Sequence, residues 1–132
     1  MEKTIIVPST LESLRAIEKL VDEFAAGCNM DNLVYGNVLV ASLEAVNNAI
    51  VHGNKLDKKK EVLFSIRCSK KEVHLLIKDQ GEGFDYEHVP DPTAPENIEN
   101  ISGRGIFLMH KLSDNLVFED KGSTVKLIFK IN

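Results

Sequence analysis

The stretch DQGEGF at residues 79–84 decides the fold, and a second glycine-rich stretch, GRGI, follows it at residues 103–106. An apolar run leads into the first stretch, and Pro90, Pro92 and Pro95 lie between the two. Glycines let a ligand approach the backbone closely, while prolines prevent both helix and sheet ladder. The pattern predicts a nucleotide pocket with two glycine corners and a flap, or lid, over about residues 84–102.

The composition is that of one globular domain spanning residues 1–132. The chain is 43% hydrophobic and 27% charged, with a formal net charge of −4. A chain of this length can bury a sizeable core. Its one compact basic run, Lys58–Lys60, is interpreted as a solvated turn. An acidic chain without a basic stripe is not expected to bind nucleic acid directly.

The cysteines and the N-terminus indicate the compartment. Cys28 and Cys68 are isolated, with no partner at the spacing of a zinc site or a redox pair. They are expected to be small buried side chains in a reducing environment. The apolar run near Met1 is too short for a signal peptide, and no segment approaches the length needed to span a bilayer. We therefore expect a cytoplasmic protein without membrane attachment.

Hydrophobic spacing predicts the order strand, helix, helix, hairpin, flap, helix, hairpin. A β-branched run stopped by Pro8 predicts an edge strand, and Ser9 or Thr10 can cap the next helix. Asp31 is predicted to cap a second helix that continues to Gly53. The expected fold is an α+β two-layer sandwich, with a mixed, mostly antiparallel sheet covered on one face by three main helices.

Glu44, Asn48 and His52 lie four residues apart on one face of the second helix, within an apolar, alanine-rich segment. Phosphoryl transfer needs a magnesium ion and a base that positions the nucleophile. Magnesium takes few protein ligands, so the Asn48 amide oxygen would suffice, and Glu44 could accept a proton. A merely solvated face is the alternative, but such a face should carry more charged residues.

The sequence allows two interpretations of His52. It could line the phosphate end of the pocket, or it could bond to a carbonyl at the end of the helix, where the helix dipole favours a histidine. The second interpretation is the simpler one.

Asp79 ends an apolar strand, where a carboxylate is costly unless hydrogen-bond donors meet it. The exocyclic amino group of adenine is such a donor, whereas guanine presents a carbonyl at that position. Gly81 and Gly83 would let the base lie against the backbone. Such a short sequence is often only a turn, so this stretch alone is a weak signal.

Gly103 and Gly105 flank Arg104 at the start of a predicted helix. The N-terminus of a helix presents free backbone N–H groups to phosphates. An ordinary helix cap is the alternative, because two glycines fall short of a full phosphate-loop fingerprint.

Together, three stretches resemble the sequence boxes of the Bergerat-fold ATPases, which include DNA gyrase, the ninety-kilodalton heat-shock chaperone and the sensor histidine kinases. They are EAVNNA at 44–49 with HG at 52–53, DQGEGF at 79–84, and GRGIFLM at 103–109. The closest likeness is to the stand-alone anti-sigma factor serine/threonine kinases of bacterial sporulation and stress-response switches. It covers nearly the whole chain.

The resemblance implies a site that binds ATP and Mg²⁺, with Glu44 as general base, Asn48 as magnesium ligand and Asp79 as adenine acceptor. The hydroxyl of either Ser123 or Thr124 is implied to help bind the base. The full set of residues implied to line the pocket is His52, Gly81, Gly83, Gly103, Arg104, Gly105, Ile106, Ser123 and Thr124. Arg104 could contact phosphate or point outward.

The resemblance also implies a homodimer and two protein partners, a sigma factor and an anti-sigma factor antagonist that carries the phosphoacceptor hydroxyl. The expected function is a protein serine/threonine kinase that binds and inhibits a regulatory partner. One alternative is a nucleotide-gated binding switch with little catalysis, which would retain Asp79 but not depend on Glu44. A scaffold without any ligand is a third possibility.

Overall fold

The computed structural model describes residues 1–82 and 101–131, and for residues 101–104 only the backbone. Gly83 and the predicted lid up to residue 100 lie outside the described residues.

The described residues form five strands and three α-helices. In chain order they are β1 (Glu2–Pro8), α1 (Leu14–Gly27), α2 (Asn32–Asn48), β2 (Glu61–Cys68), β3 (Glu72–Lys78), α3 (Ile101–Leu112), β4 (Asn115–Glu119) and β5 (Thr124–Lys130). A π-helical turn, Ala49–Gly53, extends α2, and two short 3₁₀ turns cover Leu11–Ser13 and Asp120–Gly122.

The sheet has the strand order β1-β2-β3-β5-β4. The predicted α+β sandwich is confirmed, as are both hairpins and the position of β1 at an edge. The sheet is not mixed, however, because all its pairings between described strands are antiparallel. This order places the end of β3 beside the turn between β4 and β5.

The core lies between the helices and one face of the sheet. Alternate residues of β2 and β3 point into it, which is the period of two expected for a strand that is buried on one side. Fully buried members include Ile17, Ile50, Phe64, Ile77 and Phe129. The two ends of α2 are thereby fixed relative to the sheet that carries Asp79.

Helix α2 begins as predicted, with the Asp31 carboxylate accepting a hydrogen bond from Val34 N at 2.8 Å. Its apolar residues do not all face the core, since Leu33 and Val40 are exposed. Residues 32–53 form one helix long and apolar enough to cross a bilayer by length and composition, contrary to the expectation of no such segment. Its buried face packs against α1 and α3, as a core helix does.

The predicted cap of the first helix is wrong. Neither Ser9 nor Thr10 caps α1, which starts after a 3₁₀ turn. The Ser9 hydroxyl instead donates to Lys60 O at 2.7 Å, which joins the end of β1 to the start of β2. The local sequence favours a cap at this position, but the partner across the sheet determines where the hydroxyl points.

The prediction of two isolated cysteines is also wrong. A disulfide joins Cys28, just after α1, to Cys68 at the end of β2, with a Cα–Cα distance of 6.5 Å. The two residues are 40 positions apart in sequence, so no local spacing rule could detect the pair.

Candidate nucleotide-binding site

Asp79 stands immediately after β3, where its backbone and side chain are both held. Its N–H donates to Ser123 O at 2.9 Å, and its Oδ1 accepts from Gly81 N at 2.8 Å. Burial raises the pKa of the Asp79 carboxyl, against the lowering effects of the Gly81 hydrogen bond and the charge of Lys60. Hydrogen bonds from the described residues reach only Oδ1, which leaves Oδ2 as an acceptor.

The glycines around Asp79 are required by close packing. A Cβ on Gly53 would lie 2.4 Å from Asp79 Oδ2, and a Cβ on Gly81 would lie 2.0 Å from Gly53 O. Neither glycine has a positive φ, so the restriction is space and not backbone conformation. Gly53 is not among the predicted site residues, although its position directly after His52 in the first box is a sequence signal for it.

The π-helical turn brings Gly53 to this position. Asn54 N donates to Ala49 O at 2.8 Å, five residues earlier, instead of the usual four. The wider turn changes the direction of the chain at the end of α2 and sets the Gly53 carbonyl against Gly81. The imidazole of His52, in the same turn, is exposed and makes no hydrogen bond within the described part of the chain.

Glu44 and Asn48 converge at the other end of the site, next to α3. A Cβ on Gly105 would lie 3.1 Å from Glu44 Oε2, 3.1 Å from Asn48 Nδ2 and 3.3 Å from Asn48 Oδ1. Asn48 Oδ1 is buried without a hydrogen-bond partner among the described residues. A buried orphan oxygen beside a carboxylate is the donor set that a hard cation prefers, so these residues fit a magnesium ion.

The glycine-rich segment lies at the start of α3. Gly103 and Arg104 fall in the first turn of the helix, which begins at Ile101, two residues before the predicted glycine corner. Only their backbone is described. Ile106 is 5% exposed and belongs to the core. The structure thus brings Gly105 to Glu44 and Asn48, while Ile106 anchors the helix beneath them.

The turn between β4 and β5 holds the two hydroxyl residues. Thr124 is buried and its Oγ1 donates to Asp120 Oδ2 at 2.8 Å, while the Ser123 hydroxyl donates to Asp120 O at 2.8 Å. Both hydroxyls are therefore engaged within the turn. It is the Ser123 carbonyl that reaches Asp79, so the contact between this turn and the site runs through the backbone.

Comparison with known proteins identifies the family of this chain. The family described as the histidine kinase-like ATPase domain matches residues 7–129. The serine-protein kinase RsbW of Staphylococcus epidermidis is 34% identical over 113 residues, which cover 78% of this chain and 69% of that protein. The anti-sigma F factor of Clostridium perfringens is 32% identical over 98 residues, covering 71% and 69%. That of Geobacillus kaustophilus is 37% identical over 105 residues, covering 74% and 69%.

The fold agrees with these matches, because the described residues form an antiparallel sheet covered by three helices. The matched region contains α2, the end of β3 and the start of α3, which are the elements that carry the predicted site residues. The chain belongs to the histidine kinase-like ATPase family, in its branch of anti-sigma factor serine/threonine kinases.

Proposed function

We propose that this chain is an ATP-dependent protein serine/threonine kinase that acts as an anti-sigma factor. It would bind a sigma factor and phosphorylate an anti-sigma factor antagonist. The names of its relatives support the class of activity. The observation that carries the proposal is the convergence of Glu44 and Asn48 on Gly105, at the opposite end of the site from Asp79.

At the base end, Asp79 Oδ2 would accept a hydrogen bond from the amino group of adenine. Because Gly81 already occupies Oδ1, the carboxylate cannot turn away without losing that bond. Gly53 and Gly81 keep the floor of the pocket free of side chains. Of the two hydroxyl residues, Ser123 is favoured as a second contact, since it is partly exposed and its carbonyl already bonds to Asp79.

At the phosphate end, Asn48 Oδ1 would hold the magnesium ion, whose charge neutralises the phosphate oxygens during transfer. The first turn of α3, including Gly103 and Arg104, has backbone N–H groups that no helical carbonyl can accept. These N–H groups and the positive end of the helix dipole suit a triphosphate. Gly83 and His52 are kept as proposed pocket residues.

Glu44 would act as the general base. Its carboxylate takes the proton of the serine or threonine hydroxyl as the hydroxyl oxygen bonds to the γ-phosphorus. The bond between the γ-phosphorus and the oxygen that bridges it to the β-phosphate breaks, and ADP leaves. Glu44 is half-buried beside Asn48, so one side of the helix both positions the phosphate and receives the proton.

Magnesium dependence, a homodimer and a cytoplasmic location are parts of the same proposal. The family resemblance supports the dimer, and the substrate ATP and the sigma factor partner support the location. In a reducing cytoplasm Cys28 and Cys68 would be thiols, so the disulfide between them belongs to the oxidised protein. Sedimentation equilibrium of the purified chain tests the dimer, and a single monomeric species at micromolar concentration would refute it.

The test of the function compares the wild type with Glu44→Ala. Each protein is incubated with ATP, Mg²⁺ and the soluble proteins of the source cell, and the phosphorylated sites are mapped by mass spectrometry. We expect Glu44→Ala to bind ATP in titration calorimetry but to transfer phosphate on the order of 10²–10⁴-fold more slowly. Glu119→Ala, which removes an exposed carboxylate from the edge strand β4, is the control and should behave as wild type.

Equal phosphorylation by wild type and Glu44→Ala would remove Glu44 from the mechanism. ATP binding without phosphorylation by either protein would instead favour the nucleotide-gated switch.

A further inference from the structure

Asn54 is a buried polar residue at the centre of a hydrogen-bond network beside Asp79. Its side chain is 1% exposed and makes three hydrogen bonds. Its Nδ2 donates to Ser9 Oγ at 2.8 Å and to Glu61 O at 3.0 Å, and its Oδ1 accepts from Gln80 N at 2.7 Å. Both of its functional groups are therefore satisfied, as a buried amide requires.

The network closes on itself around the start of β2. Ser9 Oγ donates to Lys60 O at 2.7 Å, and Glu61 N donates to Gln80 Oε1 at 2.6 Å. Asn54, which directly follows Gly53, thus connects the end of β1, the end of β3 and the start of β2 through its side chain. Each of these segments is fixed by the sheet, so the amide of Asn54 is a rigid support.

The bond to Gln80 matters because of its neighbours. Three successive backbone N–H groups are held, each by a different acceptor: Asp79 N by Ser123 O, Gln80 N by Asn54 Oδ1 and Gly81 N by Asp79 Oδ1. The middle bond fixes the peptide group between Asp79 and Gln80. Without it that peptide can rotate, and the Gly81 N–H that orients the Asp79 carboxylate moves with it.

We propose that Asn54 is a positioning residue that sets the preference of this site for adenine over guanine nucleotides. The proposal rests on the proposed function, in which Asp79 Oδ2 accepts from the base. When Asp79 Oδ2 is fixed, guanine binds poorly, because its carbonyl oxygen is also an acceptor and would face Oδ2 with no hydrogen atom between them. A carboxylate that can turn away, or a Gly81 N–H that can turn toward the base, tolerates the guanine carbonyl. Specificity is therefore expected to fall more than affinity.

The experiment measures the ratio of the dissociation constants of GDP and ADP by titration calorimetry, with no catalytic readout. Asn54→Ser removes the acceptor for Gln80 N and should lower this ratio by about tenfold or more. Ser9→Ala is the matched control: it removes a bond from the other side of the same amide and leaves the bond to Gln80. Ser9→Ala should lower the thermal midpoint, as Asn54→Ser does. Its ratio of GDP to ADP dissociation constants should stay within about twofold of wild type.

If Asn54→Ser does not fold, Gln80→Pro takes its place, because proline has no N–H to donate to Asn54 Oδ1 and the Gln80 side chain is exposed. Gln80→Ala is its control, since alanine loses only the side-chain bond from Glu61 N and keeps the bond to Asn54. The ratio should fall by about tenfold or more in Gln80→Pro and stay within about twofold of wild type in Gln80→Ala. An unchanged ratio in the folded Asn54 or proline variant, or an equal fall in Ser9→Ala or Gln80→Ala, would overturn the positioning role alone. A wild type that binds neither nucleotide would overturn the proposed function as well.

Discussion

The carbonyl oxygen of Gly53 packs so closely on Gly81 that a Cβ added to Gly81 would lie 2.0 Å from it. This contact joins the end of the helix that carries Glu44 and Asn48 to the end of the strand that carries Asp79. Backbone packs on backbone here, so neither side can relieve a clash by rotating a side chain. The distance between the two ends of the site therefore depends on two glycines.

Gly81→Ala should separate these segments and abolish ADP binding. The added methyl group collides with backbone, so we expect a loss of about 1–3 kcal/mol in the free energy of unfolding, measured by urea denaturation. Gly36→Ala is the control. A Cβ on Gly36 in α2 meets nothing within 4 Å, so this variant should gain up to about 1 kcal/mol and bind ADP normally. Normal ADP binding by Gly81→Ala would contradict the close packing.

Asp79→Asn should lose ADP affinity while stabilising the nucleotide-free protein at neutral pH. Burial raises the folded-state pKa of Asp79 above its ordinary value, so just above the ordinary pKa of an aspartate the folded state binds more protons than the unfolded state. The contribution of the Asp79 carboxyl to the free energy of unfolding therefore falls as the pH rises through this range. Asparagine carries no charge and avoids the loss, yet it can still accept from Gly81 N.

Urea denaturation of both proteins between pH 3.5 and pH 7 measures the effect. We expect the two stabilities to converge at the acid end and Asp79→Asn to be the more stable at about pH 7. A difference of the opposite sign at neutral pH would show that the carboxylate is stabilised by its surroundings.

The sequence predicted the elements and the two ends of the site, because their signals are local. The Asp31 cap, the period of two in β2 and β3 and the spacing of Glu44 and Asn48 all lie within one element. The family was also predictable, since the order of three boxes is a property of the chain. The predictions of the fold class and of the family are confirmed, whereas the site and the roles of its residues remain predictions.

What the sequence could not predict depends on contacts between distant segments. The sequence around Asn54 indicates only a loop residue after a helix, because its amide comes between Ser9 and Gln80 only in the folded chain. The Cys28–Cys68 pair is missed for the same reason. An individual apolar residue such as Leu33 is equally compatible with the core and with solvent until the orientation of its helix is fixed.

Gly105→Ala should slow phosphate transfer without destabilising the protein. The new methyl group would lie 3.1 Å from both Glu44 Oε2 and Asn48 Nδ2, which are side-chain ends that can shift by a few tenths of an ångström. Small displacements of catalytic groups are costly, so we expect transfer to fall by about tenfold or more. Alanine also favours a helix, so the thermal midpoint should not fall. An unchanged transfer rate would show that Glu44 and Asn48 need not hold these positions.

The Cys28–Cys68 disulfide should stabilise the fold without contributing to nucleotide binding. It closes a loop that contains all of α2, and cross-links of this span typically contribute about 2–4 kcal/mol by restricting the unfolded chain. Reductant should lower the denaturation midpoint of the wild type, while the double variant Cys28→Ser with Cys68→Ser should be insensitive to it. ADP affinity should be equal in both, because the contacts of Asp79, Asn48 and Gly105 with other described residues involve neither cysteine. Alkylation of the unfolded wild type without reductant counts its free thiols, and two free thiols with an unchanged midpoint would contradict the cross-link.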